Sequence, residues 1–180
     1  MLKGEKVILR PVEREDLRRM HDLRANVDLV MQANGDWQPV PLGSMERWFE
    51  KGLDDEDKSW FVIEADEKVI GDIGLHHRNQ RSRVTSFGIA ILDPDYVGKG
   101  YGREAINLFL DWAFRIVNYR RVWLETGANN ERAQRAYKAC GFVEEGRLRE
   151  HDFSNGVYED MIVMGLLRTE WEARKSAQHS

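Results

Sequence analysis

The sequence predicts an α+β fold built on one mixed, mostly antiparallel sheet of about seven strands. Three segments of strand length lie between residue 59 and Leu92 and are joined by short polar turns, which is typical of an antiparallel meander. A glycine-rich loop and a helix then lead from Leu92 to a further strand over residues 121–126. A crossover through a helix makes this strand parallel to the one that ends at Leu92, so the predicted sheet is mixed.

The region before the meander is predicted to contain one strand, two helices and loops. Residues 7–11 form an apolar strand ended by a proline, and acidic residues then occupy the first turn of a helix over residues 13–24. Prolines and glycines place a loop at residues 34–43, and bulky apolar residues at 45–49 indicate a second helix. The acidic run 54–57 is interpreted as a solvated loop, with attraction of a cationic acceptor as the alternative.

Two adjacent histidines, His76 and His77, lie on the second strand of the meander. Because side chains alternate along a strand, the two rings are expected to point to opposite faces of the sheet. One of them is then able to face a cleft, although a solvated pair is the favoured interpretation. No metal site is predicted, because these histidines diverge and no cysteine or carboxylate cluster joins them.

The C-terminal part is predicted to contain a short helix and a hairpin. Asn129 or Asn130 is expected to cap the helix, and Gly141 is placed to end it. The hairpin turns at residues 154–156, where Ser-Asn-Gly favours a tight turn. Residues 168–180 are interpreted as a helical turn and a loose tail.

The glycine-rich loop indicates a binding site for an anion. Gly98, Gly100 and Gly102 precede the crossover helix, and Lys99 and Arg103 add positive charge. The first turn of a helix has N–H groups without intrahelical partners, and the helix dipole places partial positive charge there. Glycines also let the backbone approach a ligand closely. The pattern therefore predicts a phosphate or pyrophosphate ligand.

Two common phosphate motifs do not match this loop. The Walker spacing is absent, and the dinucleotide fingerprint fails because its last glycine is replaced by Arg103. Glu125 does lie about 20 residues on, where a dinucleotide site places its ribose-binding acid. A doubly wound fold, however, continues in βα units, whereas this chain closes with a hairpin.

Composition describes an ordinary globular protein of 180 residues, with 42% hydrophobic and 32% charged residues. The net charge of −4 argues against a nucleic-acid-binding surface. A single cysteine, Cys140, excludes an internal disulfide and fits a reducing compartment. The N-terminus is too polar for a signal peptide and no apolar run reaches membrane-spanning length, so a cytoplasmic protein without a membrane partner is expected.

The loop, the segment Ala-Tyr-Lys-Ala-Cys-Gly-Phe at 136–142 and the closing hairpin together resemble the GNAT acetyltransferase superfamily. The segment Gly-Phe-Val-Glu-Glu-Gly-Arg-Leu-Arg at 141–149 is most similar to the branch that contains ribosomal-protein N-terminal acetyltransferases and spermidine acetyltransferases. The resemblance covers nearly the whole chain, so residues 1–180 are expected to form a single domain of this kind, with 168–180 as its tail. It implies helices on both faces of the sheet and a splay between strands four and five.

The resemblance also implies acetyl-CoA as the cosubstrate, with its thioester in the wedge between the splayed strands. The backbone of Ala90, Ile91 and Leu92 is expected to pair with the pantetheine arm, which Asn130 helps to hold. The pyrophosphate is expected on the six loop residues Val97, Gly98, Lys99, Gly100, Tyr101 and Gly102.

The same resemblance assigns the catalytic roles to two residues. Tyr137 matches the general acid of the family, and its ordinary pKa of about 10 exceeds the value of about 8.5 for a thiol. A tyrosine can therefore donate a proton to the departing thiolate and take it back. Glu125 matches the general base of the ribosomal-protein acetyltransferases, acting directly or through water. The oxyanion is assigned to backbone N–H groups around Ile91 and Leu92.

The acceptor is expected to be a primary amine, either a protein N-terminal amine or a small amine. A polyamine such as spermidine is the alternative, weakened because the positions that match the polyamine-binding acids of spermidine acetyltransferases read Ala33, Asn34, Pro41 and His77. The branch also often has a glutamate near the start of the cofactor strand, where this chain has Ser86. A nucleotide-dependent oxidoreductase and a non-catalytic coenzyme A-binding module are the alternatives from other classes. A homodimer is compatible with the sequence, which does not decide the oligomeric state.

Overall fold

The computed structural model describes residues 1–34, 36–53 and 59–178. One sheet runs through it in the strand order β1-β2-β3-β4-β5-β6-β8-β7. Every neighbouring pair is antiparallel except β5 and β6, which are parallel as predicted. The strands are β1 Leu2–Lys3, β2 Ile8–Pro11, β3 Trp60–Ala65, β4 Lys68–Asn79, β5 Val84–Ile91, β6 Arg121–Gly127, β7 Val143–Ser154 and β8 Val157–Leu167.

Helices cover both faces of this sheet, as the family resemblance implies. They are α1 Asp16–Leu23, α2 Val27–Asn34, α3 Leu42–Leu53, α4 Tyr101–Asp111, α5 Glu131–Cys140 and α6 Arg168–Gln178. A 3₁₀ turn, Pro94–Tyr96, precedes α4, and a π-helical segment, Trp112–Ile116, follows it. In the described part of the chain, no helix is long and apolar enough to cross a membrane.

Two apolar cores lie on opposite faces of the sheet. The larger core joins α4 and α5 to one face, where Phe87 of β5 packs on Phe109 with 5.4 Å between ring centroids. The smaller core joins α1, α2 and α3 to the other face, and Ala90 and Leu92 contribute to it. Because consecutive residues of β5 point to opposite faces, this strand supports both cores.

The predicted splay lies between β5 and β6. Their ladder ends at the pair Ser86 and Trp123, although β5 continues to Ile91 and β6 to Gly127. Beyond that pair, β5 stays bonded to β4 and β6 stays bonded to β8, so each strand keeps one neighbour. A wedge therefore opens inside the sheet, with its apex just after Ser86.

Three local predictions need correction. The sheet has eight strands rather than about seven, because Leu2–Lys3 adds the edge strand β1 to β2. The loop predicted at 34–43 is shorter than expected, because α2 (Val27–Asn34) and α3 (Leu42–Leu53) include its first and last residues. The expected loose tail is the helix α6, which packs Trp171 against Phe114 at 5.4 Å. The acidic run 54–57 lies outside the described residues.

A buried ion pair fixes the start of α1 to the sheet. Both Arg10 guanidinium Nη atoms, on β2, donate to the Asp16 carboxylate at 2.7 and 2.8 Å, and the Arg10 Nε atom donates to Glu64 of β3 at 2.7 Å. The Glu13 N–H donates to Asp16 at 2.8 Å. Burial alone would raise the pKa of the Asp16 carboxyl, but the hydrogen bonds from Arg10 and Glu13 lower it below its ordinary value.

We expect Asp16→Asn to lower the free energy of unfolding at pH 7 by about 2 kcal/mol, because charged hydrogen bonds are lost while Arg10 stays partly buried. A carboxyl with a lowered native pKa stabilises the fold above the unfolded pKa of about 3.9, and this stabilisation is lost as pH falls further. The difference from wild type should therefore shrink below about pH 4, as measured by urea unfolding. Glu50→Gln, which removes an exposed ion pair with Arg14, is the control and should change stability by less than about 0.5 kcal/mol. A constant difference at every pH would contradict this account.

Candidate active site

The loop between β5 and α4 has the conformation that an anion site requires. Gly98 and Gly100 adopt positive φ values of 76° and 91°, which other residues rarely adopt. The first hydrogen bond of α4 runs from the Glu104 N–H to the Gly100 carbonyl at 3.1 Å, so the three preceding N–H groups have no acceptor within the helix. No described atom lies within 4 Å of the position that a Cβ on Gly98 would take. The loop therefore offers open space beside free N–H groups.

A cavity of about 580 Å³, here called the loop cavity, extends from this loop into the wedge. It brings together most of the predicted site residues from β5, the loop, β6 and α5. These are Ala90, Ile91, Val97, Gly98, Lys99, Gly100, Gly102, Glu125, Asn130 and Tyr137. Arg132 and Arg135 also line it and were not singled out in the sequence; both lie on α5, shortly after the predicted cap Asn130.

Leu92 and Tyr101 are the two predicted contacts that do not line the loop cavity. The Leu92 side chain is buried in the smaller core, and its N–H donates to the Ile70 carbonyl at 2.9 Å. That N–H is therefore already used within the sheet. The Tyr101 ring packs against Tyr96 with 5.0 Å between centroids.

The bond from Leu92 to Ile70 also fixes which β5 groups face the wedge. In an antiparallel pair, successive residues direct their N–H and C=O groups alternately toward and away from the partner strand. Since Leu92 is bonded to β4, Ala90 is directed toward β4 as well. Ile89 and Ile91 are then directed into the wedge. Ile91 was predicted as a contact, whereas Ile89 was missed. The sequence indicates that backbone directions alternate along β5, but one hydrogen bond must be known before the residues that face the wedge can be assigned.

Tyr137 lies on α5 at the inner end of the loop cavity. Its ring contacts Phe87 and Phe142 edge to face, at 6.1 and 6.0 Å between centroids, and only 9% of the residue is exposed. Burial raises the pKa of the Tyr137 hydroxyl to about 12, with a smaller contribution from Cys140. The hydroxyl therefore carries its proton at neutral pH and is a donor.

Asn130 connects the two sides of the site. Its Oδ1 atom accepts from the Ala133 N–H at 3.1 Å, which caps α5 as predicted. Its Nδ2 atom donates to the Gln32 carbonyl on α2 at 2.7 Å. The cap thus ties α5, on one face of the sheet, to α2 on the other.

A second cavity, here called the acidic cavity, has a volume of about 760 Å³ and lies on the face of α2. It meets the loop cavity at a shared rim that includes Glu125, Thr126 and Asn130. Within the described residues its lining contains five carboxylates and one guanidinium, that of Arg132. The carboxylates are Asp28, Glu125, Glu131, Asp152 and Glu159. The cavity is therefore suited to a cationic guest.

His76 and His77 both line the acidic cavity, which corrects the expectation that they face opposite ways. His77 has a positive φ of 45°, and the register of β4 against β5 shifts between His76 and Asn79, so the simple alternation ends there. His77 Nδ1 is 3.0 Å from the Ser86 hydroxyl, and its ring stacks on Trp123 at 5.8 Å.

Cys140 is buried beside this site, and burial raises the pKa of its thiol to about 11. Its Sγ atom contacts the Arg103 carbonyl at 3.7 Å. The thiol is therefore protonated at neutral pH, as a structural cysteine is, and is a poor nucleophile.

Comparison with known proteins gives the family. Residues 6–143 match the model of the acetyltransferase (GNAT) domain. The spermidine N(1)-acetyltransferase of Vibrio cholerae is 35% identical over 172 residues, which covers 93% of this chain and 96% of that enzyme. The enzyme of the same name from Escherichia coli K12 is 32% identical over 176 residues, covering 96% of this chain and 92% of the relative.

Solved structures agree with this placing. The crystal structure of the Vibrio cholerae spermidine N-acetyltransferase in complex with CoA and spermine superimposes with a TM-score of 0.87 at 34% identity, covering 94% of this chain and 99% of that one. A dodecameric structure of the Vibrio enzyme has a TM-score of 0.82 at 34% identity and covers 95% and 99%. For the present chain, a homodimer and a cytoplasmic location stay predictions.

These matches remove the oxidoreductase interpretation of the glycine-rich loop and confirm acetyl-CoA as the cosubstrate. A wedge between parallel strands, a loop cavity with free N–H groups and a buried, protonated tyrosine are also compatible with acetyl transfer from a thioester. This chain is an acetyl-CoA-dependent N-acetyltransferase and belongs to the GNAT acetyltransferase family.

Proposed function

We propose that the acceptor of this N-acetyltransferase is a primary amine of a small polycation of the spermidine class, bound in the acidic cavity. The observation that supports this most directly is the excess of carboxylates in a cavity that opens onto the wedge at Glu125 and Thr126. A spermine-bound relative supports it independently. The absence of acids at Ala33, Asn34, Pro41, His77 and Ser86 concerns other positions than the five carboxylates that line this cavity.

The side of the acidic cavity that is formed by β7 and β8 carries charges that suit a bound cation and do not stabilise the fold. Asp152 and Glu159 are direct partners in the β7–β8 register, and both are half-buried. Like charges directly opposite each other on a sheet are destabilising. The Asn129 amide donates to Glu159 at 2.5 Å, but neither carboxylate has an ion pair within the described residues. A second ammonium group of the acceptor would relieve this repulsion.

The loop cavity fits acetyl-CoA, which supplies an acetyl group activated as a thioester. The free N–H groups at the start of α4, with Lys99 and Arg103, would hold the pyrophosphate. The backbone groups of Ile89 and Ile91 that face the wedge would bond to the pantetheine arm as a neighbouring strand would, and the Ile91 N–H is placed to serve the oxyanion.

Two side chains carry the proton chemistry and orientation in this proposal. Tyr137 donates its hydroxyl proton to the departing sulfur, because its raised pKa keeps the hydroxyl protonated and burial keeps it in place. Glu125 lies at the rim that the two cavities share, and its exposed carboxylate holds the reacting ammonium there. The base role that the family resemblance assigns to Glu125 stays a prediction.

The test of the proposed acceptor is a thiol-release assay over an amine panel. Spermidine and spermine should give a kcat/KM at least about tenfold above a monoamine of matched length, since each further ion pair in a partly desolvated site adds about 1.4 kcal/mol or more. The advantage should fall as salt rises. Preference for a peptide N-terminal amine would replace the polyamine assignment. No thiol release with any amine would favour a non-catalytic coenzyme A-binding module.

For the loop, we expect Gly100→Val to abolish coenzyme binding. A β-branched residue at a φ of 91° is strained, and its side chain would obstruct the N–H groups that receive the pyrophosphate. The measurement is the rise in Tm with coenzyme A. Gly146→Val is the control, because Gly146 lies on β7, has no positive φ and has no described atom within 4 Å of its Cβ position. A folded Gly100→Val protein with wild-type affinity would show that the phosphates bind elsewhere.

For the acid, we expect Tyr137→Phe to lower kcat by roughly 10²–10⁴-fold, the usual worth of a positioned proton donor. The ring contacts are kept, so Tm and coenzyme A affinity should stay near wild type. Tyr158→Phe removes an exposed hydroxyl at the hairpin and is the matched control. A Tyr137→Phe enzyme with full kcat would mean that the thiolate takes its proton from water.

A further inference from the structure

His76 lies at the apex of the wedge, on the face of the acidic cavity. It is the direct β4 partner of Ser86, the last β5 residue that is paired with β6. Its ring lies over Gly88, the next β5 residue on the same face, with Nε2 3.0 Å from the position that a Cβ would take. A Cβ at position 88 would be in unusually tight contact with the imidazole, which would have to shift slightly. The sequence thus leaves room for the ring at the point where the two strands part.

Tyr137 lies on the opposite side of the same apex. It packs on Phe87, which precedes Gly88 on β5 and therefore points to the other face of the sheet. The apex is thus flanked by a phenol on the α5 face and by an imidazole on the α2 face. This is the placement that acetyl transfer needs, because the amine arrives from one side while the thiolate departs toward the other.

The imidazole of His76 has an unused proton-accepting nitrogen. Neither ring nitrogen has a hydrogen-bond partner among the residues that the structure describes, whereas His77 is engaged with Ser86 and Trp123. Desolvation, together with the nearby His77, lowers the pKa of His76 below its ordinary value of about 6.5, and Asp72 opposes this only in part. One nitrogen of the ring is therefore unprotonated at neutral pH.

The charges around His76 come from several elements. On its own strand these are His77 and Asp72. His76 lines the acidic cavity and also a neighbouring cavity of about 730 Å³ beside Gly88, and the charged residues that line these two cavities are Arg24, Asp28, Lys51, Glu125, Glu131, Arg132, Asp152 and Glu159. The carboxylates outnumber the cations, so the surroundings attract an ammonium group. Once that ammonium is bound, its own positive charge disfavours protonation of the neighbouring imidazole. Binding of the acceptor therefore keeps His76 in the unprotonated form, which is the form that can accept a proton.

We propose that His76 is the general base that deprotonates the acceptor amine, a step that rests on the proposed amine site in the acidic cavity. The ammonium gives one proton to the imidazole, and the freed amine attacks the thioester carbon. As the C–N bond forms and the C–S bond breaks, sulfur takes the Tyr137 proton and the phenolate takes the second proton from nitrogen. The imidazolium then returns its proton to water, so one proton is released per acetyl group transferred. Glu125 holds the ammonium beside the ring.

The variant His76→Gln tests this step, since glutamine keeps a polar side chain but accepts no proton at these pH values. With the amine at saturation, kcat at pH 7 should fall by about 10²-fold, and the deficit should shrink as pH rises toward the pKa of the amine itself. The wild-type kcat should have an acid limb, a decline below about pH 6.5 that levels off at higher pH once His76 has lost its proton. His76→Gln should lack this inflection, because its kcat should keep rising with pH up to the pKa of the amine. The rise in Tm with coenzyme A should be unchanged, which shows that the variant is folded and binds its cosubstrate.

Three comparison variants separate the roles. His77→Gln should keep the acid limb, and His151→Gln, exposed on β7 outside both cavities, should keep wild-type kcat. Glu125→Gln should mainly raise the KM for the amine. A His76→Gln enzyme with wild-type kcat and an intact acid limb would overturn the proposal, and loss of that limb in Glu125→Gln would make Glu125 the base. The assay uses whichever amine the wild-type enzyme acetylates, so failure of the polyamine assignment is visible separately in the wild-type panel.

Discussion

The parting of β5 from β6 after Ser86 and Trp123 is the constraint on which the rest of the site depends. Unpaired backbone groups inside a protein are costly unless something bonds to them. Here each strand keeps its outer neighbour, so only one side of each strand is open, and only over a few residues. The open groups are those that an extended pantetheine arm can bond. In the proposed site the cosubstrate would therefore take the place of a missing strand, and few backbone groups are left open without it.

The proposed proton donor and the proposed proton acceptor lie beside the wedge on opposite faces of the sheet. Phe87 and Gly88 are neighbours on β5, and alternation sends them to opposite sides of the sheet. The large residue supports Tyr137 on the α5 side, whereas the glycine leaves space for His76 on the α2 side. In the proposed mechanism the proton donor and the proton acceptor therefore flank the wedge from opposite faces of the sheet. Neither needs a long loop to reach the reacting atoms, because both are anchored on regular elements.

Charge follows the same division, although the chain as a whole carries only −4. Cations collect at the loop cavity, which is lined by Lys99 and Arg103 beside the start of α4 and by Arg132 and Arg135 on α5. Carboxylates collect at the acidic cavity. For the anionic cosubstrate and the proposed cationic acceptor, this division would attract each substrate to its own opening. Asn130 lies at the boundary and fixes the two openings relative to each other through its bonds to α5 and α2.

The sequence by itself determined the parts of this protein that depend on local rules. Strand alternation, the glycine-rich helix start and the Asn–Gly turn predicted the meander, the crossover and the hairpin, and the family resemblance supplied the splay and the cosubstrate.

The features that the sequence did not predict depend on contacts between distant parts of the chain. The helix α6 packs Trp171 on Phe114, which lies far earlier in the chain. The choice of Ile89 over Leu92 depends on one hydrogen bond to Ile70. The two histidines share a cavity because the β4 register shifts beside them. The acidic cavity gathers carboxylates from α2, β6, α5 and both hairpin strands. Only the tertiary structure decided these features, because each of them depends on which distant segments become neighbours, and side-chain periodicity records the face of an element but not its partner.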